Sequence, residues 1–138
     1  AGFSLYSKYV KEFQKRLEEF AIVLPEEEKV LVIDAEVNVN KLTKNLVHEL
    51  SKFEPFGIDN KKPVFATYKT RVSDVRTVGD GKHLKFKSDG IDAIAFGMGQ
   101  LAQQLKTGQN IDLAYNLELD TYNGSDKLQL KIKDIHFP

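Results

Sequence analysis

The sequence predicts an α+β protein: a closed five-stranded β-barrel preceded by a small helix–strand–helix segment. Three observations carry this. Apolar residues recur at steps of three and four up to about residue 50, and the period changes to alternation after "EPFGIDNKKP" at 54–63. Beyond that point, five alternating runs are separated by turn residues. One short helical pattern falls between the third and fourth of those runs.

In "SKYVKEFQKRLEEFAI" at 7–22, Tyr9, Val10, Phe13, Leu17 and Phe20 form one apolar helical stripe, with Lys11, Lys15, Glu18 and Glu19 elsewhere. The "EEE" run and Pro25 end that helix. "KVLVIDAEV" at 29–37 reads as a strand rich in β-branched residues. Asn38 is placed to cap a second helix, with Val37 and Leu42 as its hydrophobic staple and Leu42, Leu46, Val47 and Leu50 on its buried side.

The first barrel strand, 64–78, is long. "GDG" at 79–81 turns it into a second strand at 82–88, and "DG" at 89–90 into a third at 91–96. "MGQLAQQLK" at 98–106 reads as a short helix ended by Gly108. A fourth strand, 110–122, shows Ile111, Leu113, Tyr115, Leu117 and Leu119 on one face. After the hairpin loop "NGSD" comes a fifth, 127–137, with Leu128, Leu130 and Ile132 inward and Lys127, Gln129, Lys131 and Lys133 outward. Five strands with a helix after the third describe the OB-fold barrel. The expected division is residues 1–63 as a leading segment and 64–138 as the barrel.

The 138 residues suffice for one domain with a real core. No cysteine is present, which excludes disulfides and thiolate metal sites and fits an intracellular, cytoplasmic setting. The longest aliphatic run, "VLVI" at 30–33, is far too short to cross a membrane. The chain opens on "AGFSL" without an initiator Met, as expected of a piece of something longer.

Catalytic chemistry finds little support. His48, His83 and His136 are far apart and fit no ligand spacing. "GMG" at 97–99 lacks both the third glycine of a dinucleotide fingerprint and the Lys-Ser/Thr of a P-loop. "DGID" at 89–92 has no calcium-loop spacing, and Ser4, Ser7 and Ser51 have no companion base.

Charge distribution says more than its total. Twenty basic and twenty acidic residues cancel, yet residues 61–90 hold 8 basic and 3 acidic ones, a net of +5. In "KHLKFK" the barrel alternation sends Leu84 and Phe86 inward and His83, Lys85 and Lys87 outward. Lys82 in the first turn, Arg76 near it, and Lys69 and Arg71 on the first strand extend this basic strip. OB-folds hold oligonucleotides on the second and third strands and the flanking loops. Single strands need such a strip plus aromatic platforms. Tyr68 and Tyr122 are the candidates, and Phe96 is assigned to the core. A solvated lysine face and a protein-docking barrel remain open alternatives on these residues.

Four ordered segments add a resemblance. "AGFSL" resembles the end of a "GGHxxAAGFS" motif, and "FEPFGIDNKKPVF" at 53–65 a "PFGxGNPxPxF" segment. "GKHLKFK…IDAIAFGMG" and "LQLKIKDI" follow in the same order. Together they resemble the C-terminal part of the RecJ family, the single-strand-specific 5′→3′ DNA exonucleases of bacteria. Ile58-Asp59 and Lys61 depart from the pattern.

The resemblance implies the tail of a DHHA1-like domain followed by an OB-fold. It implies Mn²⁺ or Mg²⁺ for the parent enzyme and its DNA repair and recombination chemistry, with the catalytic residues upstream of this fragment. No cofactor and no catalytic residue are therefore expected here. The expected partner is single-stranded DNA, with single-stranded-DNA-binding protein or a replication helicase as protein partners, and no membrane. The rival class is a protein-interaction module; an RNA-binding module and an independent enzyme rank below it.

Overall fold

The computed structural model describes residues 2–23, 30–121 and 126–138. Pro25, the "EEE" run, Tyr122 and residues 123–125 of the "NGSD" loop lie outside the described residues. The chain divides into two compact units, Ala1–Leu31 and Val32–Pro138.

In the first unit a short 3-10 turn, Ser7–Tyr9, leads into helix α1, Val10–Val23. Its expected apolar stripe is present but stays in the open: Tyr9, Val10, Leu17 and Phe20 are exposed, and Phe13 meets Phe3 edge-on at 5.1 Å.

The second unit contains strand β1 (Ala35–Glu36), helix α2 (Lys44–Ser51) and strands β2 (Phe65–Val78), β3 (His83–Ser88), β4 (Ile91–Ala95), β5 (Asn110–Asp120) and β6 (Lys127–His136). Strands β2 to β6 close in the order β2-β3-β4-β6-β5 and back to β2. The β4–β6 pairing is parallel and the other pairings of the closed ring are antiparallel. This is the OB-fold barrel that the strand count and helix position predict.

Closure depends on β2, whose first half pairs with β5 and second half with β3. Two register shifts coil it, one between Thr67 and Thr70 and one between Ser73 and Arg76. Each contains a residue at φ +54°, Lys69 and Asp74, the left-handed backbone of a bulged strand.

The core holds Leu84, Phe86, Ile111, Leu113, Tyr115, Leu117 and Leu130, all essentially inaccessible. Inside it, Thr67 Oγ1 donates to Val37 O at 2.6 Å, so Tyr115 OH, 2.8 Å away, donates to Thr67. Burial pushes the Tyr115 phenol above its usual value, which keeps the proton this bond needs.

Three local expectations need correction. Of the strand expected at 29–37, only Ala35–Glu36 pairs, parallel to β2 at Phe65–Ala66. The exposed "VLVI" segment ahead of it has no strand beside it among the described residues. Asn38 caps a 3-10 turn, Val39–Lys41, through its bond from Asn40 N–H, while Thr43 caps α2 through Leu46 N–H. The helix expected at 98–106 is a 3-10 turn, Gly99–Gln103. The segment 54–63 lies in the second compact unit, where β1 and α2 cluster with the barrel.

Candidate nucleic-acid interface

Register decides which outward side chains share a row. Arg76 on β2 pairs with Lys85 on β3, Lys85 with Ile94 on β4, Ile94 with Lys131 on β6, and Lys131 with Asn116 on β5. Neighbouring strands lie about 4.8 Å apart, so this row crosses the barrel and presents Arg76, Lys85 and Lys131 in line. The next row runs Ser73, Lys87, Asp92, Gln129 and Glu118 and has no net cationic excess.

Phe96 follows β4 immediately and is 51% exposed, contrary to its core assignment. The inner positions beside it are Ala93 and Ala95, paired with the large inward residues Phe86 and Leu84. Small opposite large fills the taper of a narrow barrel, which leaves the aromatic ring outside. His83 meets that ring edge-on at 5.1 Å, and Lys131 Nζ lies 5.4 Å from its centroid, within cation–π range.

His83 is fixed in turn. Its Nδ1 accepts the Gly97 N–H at 3.0 Å, so the neutral ring carries its proton on Nε2. His83 and Lys82 also line a groove of about 690 Å³ with Thr77, Gly97, Gln100 and Gln103. The structure therefore brings Arg76, Lys82, His83 and Lys85 to one side of the barrel, and adds Phe96 and Lys131. Strand alternation could have found Phe96, and it does place Lys131 outward. The pairing of Lys131 with Ile94, remote in sequence, is a tertiary fact.

Other candidate residues lie elsewhere or are engaged. Lys87 Nζ forms a 2.9 Å ion pair with Asp74. That pair holds the Asp74 carboxyl below its usual value and raises the Lys87 ammonium. Arg71 pairs with Asn110, and its N–H donates to Asp89 Oδ1 at the β3–β4 turn, the far end of β3 from His83. Lys69 N–H donates to Asp112 Oδ1 at 2.9 Å. Tyr68, 55% exposed, lines a small cavity with Asp112, Asp134 and His136 on the β5–β6 side. Tyr122 lies outside the described residues.

Asp112 anchors that second surface. Lys69 N–H, and then His136 Nδ1 at 3.1 Å, hold its carboxyl below the usual value. Among the described residues no group of three or more His, Asp or Glu side chains is arranged to hold a metal ion. No helix among them is long and apolar enough to cross a membrane.

Comparison with known proteins gives a consistent result. Residues 33–134 match the RecJ OB domain family. The chain is 30% identical to the single-stranded-DNA-specific exonuclease RecJ of Bacillus subtilis (strain 168), over 97% of this chain and 18% of that protein. It is 25% identical to the protein of the same name from Thermus thermophilus, over 100% of this chain and 20% of the relative. The crystal structure of RecJ from Thermus thermophilus in complex with Mn²⁺ superposes with a TM-score of 0.77, at 25% identity, covering 99% of this chain and 20% of that one. The chain thus spans about a fifth of the length of these relatives.

Proposed function

Because the chain belongs to the RecJ OB domain family, we propose that it is the single-strand-binding module of a longer 5′→3′ DNA exonuclease. The observation that supports this best is the exposed Phe96 ring, flanked by His83 and Lys131 at the end of a row that also presents Arg76 and Lys85. Among the described residues Lys85 takes part in no ion pair. A single strand crossing β2, β3, β4 and β6 sets phosphates against Arg76, Lys85 and Lys131 and stacks a base on Phe96. Phosphate contacts position without reading sequence, so binding is sequence-tolerant. The module raises local occupancy of the strand and feeds it to a metal-dependent hydrolytic centre elsewhere in the longer protein, with Mn²⁺ or Mg²⁺ supplying the chemistry there.

This reading places the protein in DNA repair and recombination in a bacterial cytoplasm. Single-stranded-DNA-binding protein or a helicase would be the partner that hands over the strand. A protein-docking role has its own supporting surface: Tyr68 lining a small cavity with Asp112, Asp134 and His136.

Fluorescence anisotropy with labelled oligo-dT at two salt concentrations tests the reading. The Arg76→Glu/Lys85→Glu variant is expected to bind at least about tenfold more weakly, with a log–log salt slope flatter by about 0.7 for each phosphate no longer gripped. Unchanged affinity and slope would remove this row from the interface.

A further inference from the structure

The segment "FEPFGIDNKKPVF" supplies none of the row residues, yet the fold clamps it closely. Asn60 Nδ2 donates to Phe53 O at 2.7 Å and to Pro55 O at 3.0 Å, and Gly57 N–H donates to Asn60 O at 2.8 Å. Asn116, buried on β5, donates to Pro63 O at 2.6 Å and Lys62 O at 3.3 Å. Asn116 is the strand partner of Lys131. The clamp therefore lays Lys62 over the β5 end of the row that carries Arg76, Lys85 and Lys131.

There Glu118 Oε2 stands 3.5 Å from Lys62 Nζ and 3.9 Å from Lys131 Nζ. Its side chain is only 25% exposed. Both separations exceed the roughly 2.7–2.9 Å of a committed charge-assisted bond. One carboxylate is thus shared between two ammonium groups, keeping them close without saturating either.

We propose that Lys62 and Lys131 form a further phosphate subsite, and that Glu118 is its internal counter-anion, displaced when the backbone of the strand arrives. This rests on the single-strand reading of the face. Glu118 holds the two lysines together in the free protein, which lowers the ordering cost of binding. It then opposes the incoming phosphate as a like charge and so limits affinity. Because Lys131 also lies over Phe96, engaging a phosphate there couples backbone grip to base stacking. The clamped segment thereby serves the face by delivering Lys62 to it.

The test uses this chain with Glu118→Gln, Lys62→Gln and their combinations with Lys131→Gln. In oligo-dT titrations Glu118→Gln is expected to bind about five- to tenfold more tightly, with a salt slope steeper by up to about 0.7. Lys62→Gln, which leaves Phe96 and Lys131 untouched, should remove part of that gain, and Lys62→Gln/Lys131→Gln all of it. A gain that survives removal of both lysines, or no gain at all, overturns the inference.

A second probe, inorganic tripolyphosphate followed by NMR of the lysine side chains, needs no DNA. Preferential shifts at Lys62 and Lys131, strengthened by Glu118→Gln, support the subsite. If they occur while no variant binds oligo-dT, the single-strand reading fails and the anion subsite stands. Their absence even in Glu118→Gln counts against the subsite itself.

Discussion

Phe96 and Asp112 show how much a single side chain's neighbours decide. Phe96 is an exposed ring whose inner neighbours, Ala93 and Ala95, do the packing. Phe96→Ala should therefore leave the melting temperature nearly unchanged. It should weaken oligonucleotide binding by about 1–3 kcal/mol, the worth of one stacked base, read by anisotropy beside a thermal melt. A lowered melting temperature with unchanged binding would return the ring to a structural role. Asp112 carries a testable pH dependence. Its folded-state pKa is depressed, so its stabilising contribution is complete above the ordinary carboxylate value and disappears as pH falls through the lower folded value. Asp112→Asn should accordingly be less stable than the parent near neutrality. In denaturant titrations the gap should close on acidification below the ordinary carboxylate value. A gap independent of pH would assign the effect to packing.

At the scale of elements, the turn joining β2 to β3 and the 3-10 turn Gly99–Gln103 are locked together by backbone approach. Gly99 N–H donates to Lys82 O at 3.1 Å. A Cβ on Gly99 would fall against the Gly81 carbonyl, with the Lys82 carbonyl carbon at 2.9 Å, both main-chain groups that cannot swing aside. Gly99→Ala should destabilise the barrel by about 1–3 kcal/mol, the cost of overpacking a close contact. It should also disturb the His83 wall of the adjoining groove. Urea unfolding and the His83 ring signals in NMR check both effects, and wild-type values for both would show that the two turns can separate freely. "GMG" at 97–99 is thus a packing device between two turns, consistent with the missing phosphate-loop residues.

Taken as a whole, the chain has no net charge, so on the proposed reading attraction to a polyanion would come from the local basic row and not from the total. On that reading affinity would come from a few close contacts. With Arg76, Lys85 and Lys131 each on one phosphate, and Lys62 as a fourth once Glu118 yields, the log–log salt slope for the parent chain should lie between about −2 and −3. A slope near zero would point to a protein partner; one much steeper would require cations outside this row.

Local chemistry was enough to determine a great deal. Alternation, turn residues and the position of one helical stretch specify five strands in the OB order, because side-chain period and turn geometry are properties of neighbouring residues. The same alternation places His83, Lys85 and Lys131 outward. The row itself was beyond sequence reading. Asp74 at φ +54° shifts the phase of β2, which brings Arg76 rather than its neighbours opposite Lys85, and then pairs with Lys87. The parallel contact of β4 with β6 places Lys131 beside Phe96, although 35 residues separate them in sequence. Barrel closure sets these relations, since it fixes register between strands that no local pattern connects. That is why the charged residues were legible one by one and their alignment only in three dimensions.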